Sequence, residues 1–317
     1  CKDVQHLYEV PLLMEQEGLA GRVLERLHLP NNEPDLKAWR ELVDRVKKPS
    51  KQVTVAIVGK YVMLSDAYIS VVESLKHAGA KHDCQVNIKW VLSEDVEQKG
   101  AKEYLTDVDG ILVPGGFGDR GIEGKILAAE YARMQKIPYL GLCLGMQIAV
   151  IEYARNVGKM KDAHSTEFNP KSPFPVIDLM PDQHSVTQKG GTMRLGRYPC
   201  VLKPGSVAAK VYGTTEISER HRHRYEVNND LRETLSKHGL VFSGLSPDER
   251  LVEMIELPGH PFFVACQFHP ELKSRPDNAH PLFVGFVEAM VNEAERRATE
   301  RGIACVKPAN HEAHLAT

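Results

Sequence analysis

Apolar positions keep a helical period over residues 1–50 and then give way to short apolar runs. The early stripe comprises Leu12, Leu13, Leu19, Val23, Leu24 and Leu27, then Leu36, Trp39, Leu42, Val43 and Val46 after Pro34. Spacing of this kind predicts helices with one apolar face. So few helices cannot bury their own stripes, so they are expected to pack on something else, as the tail of a preceding domain and its linker would. Lys47-Lys-Pro-Ser-Lys51 is a polar break that predicts a boundary.

Beyond that break, strand-like and helical segments alternate. Val53-Thr-Val-Ala-Ile-Val58 reads as a buried strand, and Asp66 to Ala78 as a helix capped near Ser65 or Asp66. Gln85 to Val91 alternates like a strand, and Val108-Asp-Gly-Ile-Leu-Val113 is a strand entering a glycine-rich turn. A helix over Ile122 to Gln135, a strand over Pro138 to Leu142 and a helix over Leu144 to Ala154 follow. This order predicts an α/β fold: three α/β/α layers around a mostly parallel central sheet. Later β-like runs are Ala208 to Tyr212, Leu240 to Ser243, Leu251 to Glu256 and Phe262 to Phe268, before an amphipathic helix from Pro281 to Arg297. The expected division is therefore linker helices over 1–50, the main domain over 51–300 and a loose tail over 301–317.

Composition narrows the class without naming a chemistry. Hydrophobic residues make up 42% and charged residues 26% of the 317, as in ordinary globular proteins. A net charge of -2 gives no reason to expect nucleic acid or an anionic membrane as partner. The six cysteines are dispersed without a C-x-x-C pair, which argues against zinc or a disulfide framework and fits a reducing cytoplasm. No apolar run is long enough to span a bilayer, and no secretory signal is visible. The chain opens on Cys1 rather than Met, so its native N-terminus is expected to be missing.

The chemistry gathers at predicted strand ends, where open α/β sheets bind their ligands. Gly141-Leu-Cys-Leu-Gly145 is the thiol counterpart of the G-x-S-x-G nucleophile elbow, in which a tight strand-to-helix turn lifts a nucleophile above the sheet. A thiol at a helix N-terminus also feels the positive end of the dipole, which favours thiolate. The bland reading of Cys143 is an inert core cysteine. A reactive thiol needs a base and a group to orient that base, and Gln267-Phe-His-Pro-Glu271 supplies both in His269 and Glu271. Pro114-Gly-Gly-Phe-Gly-Asp-Arg-Gly121 contains G-x-G-x-x-G, yet it does not open the first βα unit. The position 20 residues past Gly121 is Gly141, with no acid nearby, so a dinucleotide site is disfavoured. Its exposed backbone at Gly115 and Gly116 is better suited to donating N–H groups to an oxyanion.

The elbow, the Pro-Gly-Gly turn and the His-Pro-Glu motif together resemble the class I (triad-type) glutamine amidotransferases, whose fold is flavodoxin-like. Val58-Gly-Lys-Tyr61 with Asp66-Ala-Tyr68, Leu75-Lys-His-Ala-Gly79, Glu219-Arg-His-Arg-His-Arg-Tyr-Glu-Val-Asn228 and Gly259 to Glu271 are similar to motifs of the CTP synthase family. The Val10-Pro-Leu-Leu13 helix resembles the end of that family's synthetase domain, and the likeness covers all but the C-terminal tail.

That resemblance implies a Cys143–His269–Glu271 triad hydrolysing L-glutamine, with backbone at Gly116 and Leu144 as the oxyanion hole. Gly116, Leu144, Gly145, Met146, Gln147, Glu167 and Arg224 match glutamine-binding positions. An acid such as Glu167 suits an α-ammonium and an arginine such as Arg224 an α-carboxylate. Gly190-Gly-Thr-Met-Arg-Leu-Gly196 resembles the segment near the activating GTP, with Arg194 as the expected contact. Metal ligation by His221 and His223 is disfavoured, because their arginine neighbours repel a cation. The family uses ATP and Mg in an N-terminal domain with a phosphate loop to aminate UTP, and assembles as a homotetramer. No G-x-x-x-x-G-K-[ST] occurs here, so the expectation is a glutaminase half, cytoplasmic, with no cofactor of its own, serving a synthetase domain. A cysteine hydrolase of related fold and an assembly module with a dead site are the rival readings.

Overall fold

The protein is described by a computed structural model over residues 3–179 and 193–300. Three helices come first: α1 (Val10–Gln16), α2 (Leu19–Arg26) and α3 (Lys37–Lys47). The apolar stripe of α3 buries Leu42 and Val43, whereas Leu19 and Val23 of α2, and Leu27 just beyond it, are exposed. Tyr8 ties this region to the next, its hydroxyl donating to Glu73 at 2.6 Å.

The main sheet is built from β1 (Lys51–Gly59), α4 (Ile69–Lys81), β2 (Cys84–Leu92), α5 (Ser93–Lys99), α6 (Ala101–Leu105), β3 (Gly110–Val113), α7 (Ile122–Gln135), β4 (Tyr139–Leu142) and α8 (Leu144–Asn156). A side sheet uses β5 (Ala163–Ser165) and β6 (Phe174–Leu179). The main sheet then adds β7 (Arg194–Leu202), α9 (Val207–Tyr212) and β8 (Glu216–His223). β9 (Tyr225–Val227) joins the side sheet and α10 (Asn229–Lys237) follows; β10 (Val241–Leu245), β11 (Val252–Glu256), β12 (Phe263–Cys266) and α11 (Pro281–Glu300) complete the domain.

Strand order is β2-β1-β3-β4-β12-β11-β10-β7-β8. Pairing is parallel from β2 through β4 to β12, and antiparallel from β12 onward to β8. Only β11 and β7 therefore run against the common direction of this sheet. Alternation divides the core between its faces. Ala56 and Val58 of β1 pack with α7 and α8, while Val55 and Ile57 pack with α4 and α11. Strands buried on both faces explain the near-continuous apolar runs in the sequence.

Two expected elements take other forms. Ala208 to Tyr212 lies in a helix, not a strand: the Ser206 hydroxyl accepts from the Ala209 N–H at 3.0 Å, and Gly213 ends the helix at φ 69°. A short apolar run has no period of its own, and these caps decide the matter. The expected cap near Ser65 or Asp66 is also displaced. A 3-10 turn covers Ser65–Tyr68, and α4 begins only at Ile69 without a side-chain cap.

Candidate active site

β4 ends at Leu142, and Cys143 turns the chain into α8 with φ 51° and ψ −100°. That backbone is unfavourable for a residue bearing a Cβ, so its surroundings must hold it. The Cys143 N–H donates to the Cys266 carbonyl at 2.7 Å, and the Tyr139 hydroxyl to the Gly145 carbonyl at 2.9 Å. Glycine is required at 145 by close approach, because a Cβ there would lie 2.1 Å from the Val113 carbonyl oxygen. These contacts seat the thiol at the N-terminus of α8, whose partial positive charge favours an anion.

β12 stops at Cys266, so Gln267 to Glu271 leave the sheet beside the elbow. The His269 N–H donates to the Arg220 carbonyl at 2.8 Å, which fastens this turn to β8. His269 Nδ1 lies 2.7 Å from Glu271 Oε1. A Cβ on Gly115 would sit 3.0 Å from His269 Cε1 and 3.5 Å from the Cys143 Cβ, so the glycine turn passes directly over both residues. Burial disfavours a charged imidazole at 269, but the neighbouring Cys143 and the bond to Glu271 outweigh it and raise the group to about 10. His269 is thus poised as an imidazolium beside the thiol, held by its carboxylate. The three residues expected to form a triad are brought together.

The other expected positions surround this centre unequally. Gly116 packs on Leu144, with an added Cβ 3.4 Å from the leucine Cδ2. Gly145 and Met146 are buried in the first turn of α8. Gln147 turns toward β9, donating to the Tyr225 carbonyl at 3.1 Å. Glu167 reaches the glycine turn and accepts from the Gly118 N–H at 3.3 Å. Arg224 sits at the bend between β8 and β9, two residues beyond Arg222, whose carbonyl accepts from the Cys143 thiol at 3.9 Å. A cleft of about 290 Å³ lies on the His269 side of this centre, between residues 66–71 and the turn from Pro114 to Phe117, with Arg222 and Glu271 also on its wall; Cys143 does not line it.

Arg194 is paired inside the fold. Gly190 to Thr192 lie outside the described residues, but Arg194 itself is buried in β7. Its guanidinium is 2.7 Å from Glu253 and 3.4 Å from Glu226. A charge already committed to two carboxylates is not offered to a nucleotide, so the geometry gives no support to a GTP contact there. Its neighbours His221 and His223 face each other at 2.9 Å, Nδ1 to Nε2, inside the fold. Burial and adjacent positive groups push them down to about 2 and about 3, so both rings are neutral. No group of three or more metal-competent side chains occurs among the described residues.

Two further residues at the site carry no distinct pattern in the sequence. Lys125, buried at the start of α7, donates to the carbonyls of Arg120 and Gly121 at 3.4 Å and so fixes the end of the glycine turn. Gln267 touches the thiol, with Nε2 3.6 Å from Cys143 Sγ. It sat inside a recognised motif, and only its place beside a histidine two residues on could have drawn attention to it.

Residues 63–289 match the family model for class-I glutamine amidotransferases, and the chain belongs to that family. Within it the chain groups with CTP synthases. It is 39% identical to the Trypanosoma brucei CTPS glutaminase domain with bound acivicin, covering 81% of this chain and 96% of that one with a TM-score of 0.71. It is 62% identical over 291 residues to a CTP synthase of Caldanaerobacter subterraneus, covering 92% of this chain and 54% of the relative. With a CTP synthase of Clostridium kluyveri the identity is 58% over 294 residues, covering 93% and 55%. The chain spans about half the length of the curated relatives it matches.

Proposed function

We propose that the chain is the glutaminase half of a CTP synthase and hydrolyses L-glutamine to glutamate and ammonia through a thioester on Cys143. The observation that carries this reading is the Cys143 elbow facing a His269–Glu271 pair closed at 2.7 Å, in a chain of this family. The Cys143 thiolate attacks the carboxamide carbon, and the carbonyl electron pair moves onto oxygen. Backbone N–H groups of Gly116 and Leu144 take the oxyanion; one such donor is worth roughly 3 kcal/mol in related sites. Imidazolium at His269 gives its Nε2 proton to the departing nitrogen, the C–N bond breaks, and ammonia leaves a γ-glutamyl thioester. Neutral His269 then takes a proton from water as the water attacks, the C–S bond breaks, and thiolate and glutamate are released. Glu271 holds Nδ1–H throughout and so keeps Nε2 aimed at the reacting atoms.

Glu167 would receive the α-ammonium and Arg224 the α-carboxylate, with Gly116 and Leu144 to Gln147 lining the side chain. The ammonia would serve a synthetase domain that binds ATP and Mg to aminate UTP, within a cytoplasmic homotetramer activated by GTP. The exposed stripe of Leu19, Val23 and Leu27 supports such a neighbour, since an unpartnered helix face of this kind suits docking. On this reading residues 1–50 are the end of the synthetase domain and its linker, and residues 51–300 the glutaminase. No helix of the described residues is long and apolar enough to cross a membrane. Glutamate release from glutamine, measured with and without GTP and with and without an added synthetase half, tests the proposal. Turnover that rises with the partner is expected; turnover of simple amides in preference to glutamine would favour a related hydrolase instead.

A further inference from the structure

Gln267 is fully shielded from solvent, and its Nε2 donates to Cys143 Sγ at 3.6 Å, an ordinary N–H···S separation. Neighbouring groups fix the direction of this bond. The Tyr225 carbonyl can only accept, so the Gln147 atom 3.1 Å from it is the amide nitrogen. That same nitrogen lies 3.3 Å from Gln267 Oε1, which therefore accepts. The NH2 of Gln267 is left facing sulfur. Turning the Gln267 amide over would set two NH2 groups against each other and point an oxygen lone pair at the thiolate. The backbone is held as well, the Gln267 N–H donating to the Glu253 carbonyl at 2.8 Å.

We propose that Gln267 is a fourth catalytic residue, a fixed N–H donor that steadies negative charge on Cys143 Sγ, with its polarity set through Gln147 by the Tyr225 carbonyl. The need follows from the work of His269. Its Nε2 must turn to the leaving nitrogen and then to water, and at those moments it cannot also serve the sulfur. Gln267 has no other task and stays in place. The same bond assists twice, because sulfur is the nucleophile of the first step and the leaving group of the second. The run from Tyr225 through Gln147 and Gln267 also joins the strand following Arg224 to the thiol, so a ligand ordering that strand would reach the sulfur through three hydrogen bonds. The inference rests on Cys143 being the nucleophile, but not on glutamine being the substrate.

Alkylation of Cys143 by iodoacetamide across pH separates the two. Gln267→Met keeps the length of the side chain and removes the donor. One charge-assisted hydrogen bond corresponds to about one pH unit in the thiol midpoint. A thiol of higher pKa is less ionised but a better nucleophile, with a Brønsted coefficient of about 0.4–0.5. The variant should therefore react about three-fold more slowly on the acid limb and about three-fold faster at the alkaline plateau, so that its profile crosses that of the wild type. A profile that is unchanged, or scaled equally at every pH, would overturn the proposal. Gln267→Glu is the second variant, retaining the acceptor for Gln147 while bringing a carboxylate to the sulfur. Its midpoint should rise further than that of the methionine variant, and an unmoved midpoint would overturn the proposal even if Gln267→Met does not fold. Wild-type protein that resists alkylation at Cys143 would instead overturn the nucleophile reading itself.

Discussion

His269 is bound at Nδ1 by a carboxylate 2.7 Å away, while His221 and His223, on the adjacent β8, are bound chiefly to each other beside Arg194. Burial pushes all three rings toward the neutral form. At His269 the Cys143 and Glu271 partners reverse that push, raising it to about 10. At the pair the nearby carboxyl groups do not: Glu253 stands 3.6 Å from His221 but is taken by Arg194 at 2.7 Å, and Glu226 lies 3.5 Å from His223. Glu226 is itself driven well above the carboxylate range by burial and by the charge of Glu253. Rings of one residue type, packed within one fold, thus hold opposite proton states, one suited to moving a proton and the other to filling space without charge. The parallel strands, β12 included, lead into the groups proposed to react, and the antiparallel strands hold a buried polar cluster behind them.

The sharpest way to break this contrast is to remove the anion at the reactive ring. Glu271→Ala should lower kcat for glutamine hydrolysis by about 100-fold or more, the scale of a lost proton-transfer function. It should also lower the His269 midpoint from about 10, which histidine NMR can follow, since Cys143 alone then opposes burial. A variant keeping near-normal turnover would show that Glu271 does not orient the base.

The support region should respond in stability rather than in chemistry. Glu253→Ala removes the nearer partner of the buried Arg194 charge, 2.7 Å away, and leaves Glu226 at 3.4 Å. Loss of one partner of a buried pair costs about 3–5 kcal/mol, readable as a lower urea midpoint. A change below about 1 kcal/mol would mean that water or a shift of Glu226 compensates.

The smallest effect lies in the pH dependence of stability, where the two kinds of ring differ in sign. His269, raised in the folded state, contributes stability that is complete below pH 6.5 and is lost as pH climbs through about 10. His223, lowered to about 3, acts oppositely: below pH 6.5 the unfolded chain takes up a proton that the folded ring refuses, so stability falls on acidification. Each slope is limited to roughly 1.4 kcal/mol per pH unit for one proton. Unfolding free energies of the wild type, His269→Gln and His223→Gln, compared across pH 4 to 10, should give differences of opposite trend. Parallel trends would contradict the assignment of proton states.

What could be read in the sequence was what lies close together in it. Gly141 to Gly145 and His269 to Glu271 carry their chemistry within a few residues, so both the elbow and the base with its orienter were visible. Most of the parallel sheet was legible too, because strands buried on both faces are apolar throughout. Glu167 and Arg224 were expected at the site only through resemblance, for a single charge has no local pattern. Arg194 was likewise expected at an effector only through the resemblance of its segment, and nothing local in the sequence shows the acidic side chains of β9 and β11 that lie around it. β8 did hold a signal that went unread. Its Glu219, His221 and His223 alternate with Arg220 and Arg222, and the structure buries the first set and exposes the second. A period of two was present, but written in polar residues rather than apolar ones. Gln267 could not be found this way, because its role depends on Gln147 and Tyr225, both far away in the chain.

Covalent labelling tests the central claim most directly. A diazo-ketone analogue of glutamine, incubated with the wild-type chain and followed by peptide mass spectrometry, should place one adduct on Cys143. Excess glutamine should slow the labelling, and Cys143→Ala should abolish both the adduct and all ammonia release. Absence of an adduct at Cys143, or ammonia release surviving in Cys143→Ala, would contradict the account.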